Sequence, residues 1–223
     1  AEAVAAGQVG EQRLRGAGGE AIRLESAGAT ERAVKVMSSG RSVVHLATHG
    51  FFLGERCPSA VGVRGVSPDL PRPGVALGEN PLLLSGLALA GANLRGKASG
   101  DEEDGILTAE EIAALDLSGV EWAVLSACDT GLGMVRAGEG VFGLRRAFGI
   151  AGVRTVVMSL WAQEDEAGRE WMRALYRGRF SQGLSTAEAV HQATLSLLRQ
   201  RRRTHASTHP FFWAGFVAAG NWR

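Results

Sequence analysis

Two short runs of valine and leucine, each closing on a chemically competent side chain and a glycine, constrain the fold of this chain more than any other feature. The first is Ser42-Val43-Val44-His45-Leu46-Ala47-Thr48-His49-Gly50, and the second is Glu121-Trp122-Ala123-Val124-Leu125-Ser126-Ala127-Cys128-Asp129-Thr130-Gly131. Their length and continuous apolar character read as buried strands of a parallel sheet. In such a sheet the strand C-termini share one edge, and ligands bind there. His49 and Cys128, far apart in sequence, can then become neighbours on that edge. A neutral imidazole beside a thiol takes its proton and leaves a nucleophilic thiolate. The order, His before Cys, is the reverse of papain-type sequences.

Helical patterns alternate with these runs, which is the rhythm of an α/β fold with a mainly parallel central sheet flanked by helices. Thr30 followed by Glu31 caps a helix carrying Ala33, Val34, Val36 and Met37 and ending at Ser39-Gly40. Thr108 with Glu110 and Glu111 opens a short helix, and a longer one runs from the Gly138-Glu139-Gly140 turn to about Gly149. Arg154 to Leu160 reads as a buried strand. Two further helices are marked by Trp171, Leu175 and Tyr176 and by Ala187, Val190, Ala193, Leu197 and Leu198. We expect a helix at the start of the chain, an extended segment around Ile22 and Leu24, a strand or hairpin from Leu82 to Ala92, and a last strand from Phe211 to Ala219. Phe51 to Pro73, rich in Gly, Pro and Ser, reads as a long loop beside His49: either a substrate-contacting element or a tolerated insertion. Gly96 to Gly105 reads as an acidic, mobile turn.

Composition narrows the function classes. Hydrophobic residues at 45% and charged residues at 21% suit a globular domain, and 223 residues suffice for one large α/β unit, so residues 1–223 are expected to be a single domain. A net charge of +1 supplies no global field toward nucleic acid or a membrane surface, and neither is expected as a partner. The longest apolar stretch, Pro81 to Ala92, is interrupted by Ser85 and Gly86 and is too short to span a bilayer. Two cysteines make no disulfide framework, which fits a reducing cytoplasm and a free Cys128 thiol. The chain starts Ala1-Glu2-Ala3 without Met or a visible signal peptide, and we expect it to be the C-terminal part of a longer protein.

Several signals carry little. Gly131, Gly133, Gly138 and Gly140 fit neither dinucleotide nor Walker spacing, so no cofactor is expected from them. Arg199, Arg201, Arg202 and Arg203 read as a solvated helix end favoured by the dipole. His205 and His209 stand four apart, but Ser207, Thr208 and Pro210 argue against the helix a metal pair would need. His45 alternates with Val43 and Ala47 and reads as a packed core histidine; His191 reads as structural and Cys57 as an incidental thiol.

Longer stretches resemble a known family. His45 to Phe52 (HLATHGFF), Asp104 to Ile112 (DGILTAEEI), Leu125 to Gly133 (LSACDTGLG), Gly138-Glu139-Gly140 with Leu144 to Phe148, Ser159-Leu160-Trp161, and His209 to Phe216 (HPFFWAGF) are together similar to the signatures of the CHAT domain. The resemblance runs over roughly residues 20 to 223, in the family's order. It implies a caspase-like three-layer α/β fold and a separase-like cysteine endopeptidase with a His49–Cys128 dyad, acting on a protein substrate in bacterial regulated proteolysis or defence. It also implies a regulatory repeat domain or activating partner, often tetratricopeptide repeats, of which this chain has none.

The residues agree with that chemistry. The backbone N–H groups of Gly50 and Cys128 are the candidates for the oxyanion hole, glycine allowing close approach. Asp165, in Ser159 to Asp165 (SLWAQED), resembles the separase position that makes the pocket acidic, which predicts cleavage after Arg or Lys through a charge-assisted pair. Equally, Glu164, Asp165 and Glu166 serve the N-terminus of the next helix. Asp129 is a second pocket candidate, or a partner for local backbone N–H groups. Two other functions remain open at this stage: a catalytically silent CHAT scaffold binding a partner in the same groove, and a nucleotide-binding regulator using the glycine turn.

Overall fold

The structure, a computed structural model, describes residues 3–6, 21–52, 82–93, 103–126, 139–161 and 163–221. Its centre is a six-stranded sheet in the order β2 (Ala21–Leu24), β1 (Ala3–Ala6), β3 (Val43–Leu46), β7 (Trp122–Leu125), β8 (Thr155–Ser159), β9 (Phe216–Gly220). All neighbours run parallel except β9, which lies antiparallel to β8. A second, antiparallel sheet consists of β4 (His49–Phe52), β5 (Ser85–Ala88) and β6 (Ile106–Thr108), with β5 in the middle.

Period two decides how the layers form. Val44, Leu46, Ala123, Leu125, Val156 and Met158 point into one core, shared with α1 (Glu31–Ser38), α2 (Ala109–Ala113) and α3 (Glu139–Ile150) through Val34, Ile112, Leu144 and Phe148, and with Leu87 and Leu107 of the small sheet. Their alternates Val43, Trp122, Val124 and Val157 point to the opposite core, filled by α4 (Asp165–Tyr176) and α5 (Thr186–Arg203) through Trp171, Met172, Leu175, Ala193 and Leu197. Three layers result, as expected from the sequence. The tryptophans of the second core keep their polar ends satisfied: Trp122 Nε1 donates to Thr186 Oγ1 at 3.0 Å and Trp171 Nε1 to Thr194 Oγ1 at 3.0 Å.

Local chemistry sets the helix starts. Thr30 accepts from Ala33 N, and both Thr108 with Glu111 and Ser185 with Glu188 form complete capping boxes. The Asp104 to Ile112 motif turns out to be a clamp. Gly105 sits at φ +78°, where a Cβ would lie 2.3 Å from Ala92 N, and its N–H donates to Glu31 Oε2 at 3.2 Å. Lys35 Nζ bridges Glu31 Oε1 at 2.5 Å and Glu111 Oε1 at 2.9 Å, so one ammonium joins α1 to the cap of α2. Burial raises the Glu31 carboxyl above its usual range against the opposing pull of Lys35. Burial opposes the Lys35 charge, yet the hydrogen bonds to both carboxylates outweigh it and hold that ammonium more firmly protonated.

Three expectations need correction. The start of the chain is a strand, β1, rather than a helix. His49 does not simply follow a strand, because it begins β4, and Phe51 and Phe52 belong to that strand and not to a loop. Between Leu82 and Ala92, read as a strand or a hairpin, the strand is what forms: β5, whose partners come from elsewhere in the chain. Of the stretch Phe211 to Ala219, Pro210–Phe212 is a short 3-10 turn and only Phe216 onward is strand. Most of the expected loop after Phe52, with Cys57, and most of the acidic turn lie outside the described residues.

Candidate active site

The C-terminal ends of β3, β7 and β8 lie side by side on one edge of the central sheet. Leu46 is the register partner of Leu125, which in turn pairs with Met158, and Ser126 N donates to Leu46 O at 2.9 Å, extending the pairing past the strand ends. His49 is the third residue after Leu46, and Cys128 is the third after Leu125. Cys128 and Asp129 themselves lie outside the described residues.

His49 is exposed, at the point where the chain leaves the central sheet for the small one. Three things fix that departure. Thr48 Oγ1 donates to Ala88 O, His49 pairs with Ala88, and Gly50 pairs with the fully buried Leu87. An exposed imidazole on a backbone ordered by cross-strand pairing is a group available for proton transfer.

Four residues before it, His45 behaves as the sequence predicts. It is buried, its Nδ1 lies 2.9 Å from Tyr176 Oη, and the rings stack at 5.8 Å between centroids. Burial in that apolar layer lowers its pKa to about 4, so it is neutral at physiological pH. The same burial raises the Tyr176 hydroxyl above its ordinary value. The two histidines of the HLATHG motif thus divide into a structural one and an accessible one.

Asp165 is the first residue of α4, exposed, on the connection that leaves β8 at the same edge. Glu164 occupies the N-cap and Glu166 the first turn. This geometry accommodates both readings, pocket acid and dipole partner.

The other side of that connection is aromatic, and sequence reasoning missed how it is built. Trp161 Nε1 donates to Phe211 O at 2.8 Å, and the two rings stack 6.1 Å apart at 11°. Leu160 N donates to Gly215 O at 2.7 Å, and a Cβ on Gly215 would lie 2.2 Å from the Gln163 side chain. The Ser159-Leu160-Trp161 and His209 to Phe216 stretches are therefore two halves of one structure. Arg201, expected as a solvated charge, is a second correction: its side chain is only 14% exposed, and its guanidinium lies 4.4 Å over the Phe212 ring. A signal was present in the aromatic density after the basic run, but only the fold shows which arginine it meets.

Among the described residues no three His, Cys, Asp or Glu side chains stand close enough to hold a metal ion. His205, at φ +53°, lies beyond α5, and His209 caps the Pro210–Phe212 turn by accepting from Phe211 N at 3.2 Å. No helix among the described residues is long and apolar enough to cross a membrane.

The architecture is similar over 99% of this chain, and 46% of the other, to the crystal structure of the Arg specific cysteine proteinase gingipain R, with a TM-score of 0.55 and 10% sequence identity. A mainly parallel sheet between helical layers with this likeness defines a caspase-like cysteine-peptidase fold. The chain belongs to the CHAT domain family, whose model matches residues 2–221. Its relatives include the tetratricopeptide repeat protein 28 of Mus musculus and of Homo sapiens, each 32% identical over 116 residues, or 52% of this chain. The match spans 4% of the length of those relatives.

Proposed function

We propose that this domain is a cysteine endopeptidase in which Cys128 is the nucleophile and His49 the general base and acid. The observation that supports this is register: Leu46 and Leu125 are paired positions of adjacent parallel strands, each is followed three residues later in the sequence by His49 or Cys128, and such folds bind ligands at that edge of the sheet. In the first step the Cys128 Sγ–H proton passes to His49 and the thiolate attacks the peptide carbonyl carbon. As the C–N bond breaks, His49 returns that proton to the leaving amine. Water, deprotonated by His49, then attacks the thioester, releasing the acid and restoring the thiol. The N–H groups of Gly50 and Cys128 are assigned to the oxyanion, where one such donor is worth about a hundredfold in rate.

We assign the pocket acidity to Asp165, with Asp129 as a second contributor, and therefore cleavage after Arg or Lys. Support is the position of Asp165 on the same edge as His49. The match to repeat proteins supports a further proposal, that the domain is the C-terminal part of a longer protein whose repeats or activating partner regulate it. With two cysteines and no disulfide framework, the setting we assign is a reducing cytoplasm. A role in bacterial regulated proteolysis or defence rests on the family resemblance alone, since the mouse and human relatives do not bear on it.

The test is proteome-wide mapping of cleavage sites with the wild type and a Cys128→Ala variant, each with its regulatory partner. New termini following Arg or Lys are expected with the wild type and none with the variant. Undiminished cleavage by Cys128→Ala would overturn the assignment, and a preference for Asp would overturn the basic pocket. Failure of a peptidyl electrophile to label Cys128 would leave a silent scaffold as the better reading.

A further inference from the structure

Three contacts converge on Arg201, two from the segment after α5 and one from the N-cap of α4. It belongs to the last turn of α5, its Nε donates to Ser207 O at 2.5 Å, and its guanidinium lies over the Phe212 ring. Its Nη1 also faces Glu164 Oε2, the N-cap of α4, at 3.9 Å. The neighbours it holds are those that hold the β8–α4 connection. Phe211 O receives Trp161 Nε1, and Gly215 O receives Leu160 N, so the segment from Ser207 to Gly215 holds Leu160 and Trp161, while Arg201 faces Glu164. Asp165 follows directly. Beside it, Arg202 and Arg203 of the same basic run are exposed, which separates Arg201 from a group kept only for charge.

We propose that Arg201 is a positioning residue for substrate selection: by bolting the Ser207 to Gly215 segment to α5 and facing Glu164, it sets where the Trp161 ring and the Asp165 carboxylate stand at the sheet edge. This rests on Asp165 serving the pocket and deepens that reading. The guanidinium lies over the Phe212 ring while its Nε–H donates to Ser207 O, a combination that the compact ammonium of lysine does not reproduce. Selectivity follows from placement because a charge-assisted pair weakens steeply when its partners shift by an ångström. Arg201 itself touches no reacting atom.

The experiment measures binding rather than turnover, so that its failure and failure of the peptidase reading are distinguishable. In the Cys128→Ala background, fluorescence anisotropy gives the affinities of two labelled peptides differing only at the residue before the scissile bond, Arg in one and Leu in the other. We expect the Arg peptide to be preferred, and Arg201→Met to cut that preference by about tenfold, or 1.4 kcal/mol. Thermal midpoints are followed alongside, since a merely structural role would lower stability and leave the preference intact. Arg201→Lys, which keeps the charge facing Glu164 but loses the guanidinium over Phe212, is expected to fall between and carries the test where Arg201→Met does not fold. Equal binding of both peptides before substitution, or a full preference retained in the folded variants, overturns the inference. Wild-type protein that binds selectively but cleaves nothing would instead count against the peptidase reading alone.

Discussion

The HLATHG motif places two identical side chains four residues apart and gives them opposite environments. His45 was legible in the sequence because it alternates with Val43 and therefore shares that residue's buried face. Its partner was not legible, since Tyr176 arrives from α4, and nothing in the local sequence joins them. The pair has a consequence for pH. In the unfolded chain a histidine titrates near 6.5, whereas burial holds His45 down to about 4. The unfolded state therefore takes the proton first as pH falls. The stability due to neutral His45 is whole above about pH 6.5 and declines between there and pH 4, by on the order of 3 kcal/mol. A His45→Phe variant removes this dependence while leaving the Tyr176 hydroxyl unpaired, at about 1–3 kcal/mol. Urea midpoints of both proteins from pH 7 to 4 should converge on acidification; parallel curves would mean that His45 is not the group responsible. Arg201 was hidden for the opposite reason, because Arg199, Arg202 and Arg203 of the same run are exposed and sequence position alone cannot tell them apart.

At the scale of elements, the capping signals were the most readable. Thr30 and Thr108, read as caps, both cap as their chemistry requires, Glu111 closing its box, while the Ser185–Glu188 box of α5 was not singled out. The strands were read less well, for identifiable reasons. Alanine is a weak strand former, so Ala3–Ala6 looks helical and becomes a strand only through its parallel neighbours β2 and β3. His49–Phe52 shows no alternation, and its strand character comes from pairing with β5, whose sequence is distant. The union of α1 and α2 through Lys35 is likewise a long-range property. It predicts that Lys35→Met, which keeps the stem but leaves the buried Glu31 carboxylate without its cation, destabilises the fold by about 3 kcal/mol. Removing the cation lifts the already raised Glu31 pKa further, so the folded state of the variant gains relative to the unfolded one as pH falls through that value. Its deficit should therefore shrink on acidification, and a Glu31→Gln, Lys35→Met double variant should recover much of the loss at neutral pH. Chemical denaturation of the wild type and the two variants checks this, and a deficit independent of pH would place the effect in packing rather than charge.

The whole molecule is a sheet with a core on each face, and this organisation makes the proposed site possible. Because the sheet is buried on both sides, its polar chemistry can collect only along its edges, and at the edge where β3, β7 and β8 end the chain leaves the sheet at His49, after Ser126 and after Ser159. The fold class and that shared edge could be inferred from two apolar runs; the small second sheet, which orders His49 through Thr48 and Gly50, could not, since its three strands come from separated parts of the chain. Two cores divided by a rigid sheet should behave as independent stabilising units. Ile112, in the layer shared with the small sheet, and Leu197, in the layer of α4 and α5, are both buried and, among the described residues, belong to separate core clusters. Ile112→Val should cost about 1 kcal/mol and Leu197→Ala about 2–4 kcal/mol. With no contact between the sites, the double variant should lose the sum of the two to within about 0.5 kcal/mol in equilibrium urea unfolding. A coupling above about 1 kcal/mol would show that the sheet transmits strain between its faces. In that case substitutions under α5 would reach His49 through the sheet as well as through the Arg201 connection, and peptide affinity in the Leu197→Ala protein would fall together with its stability.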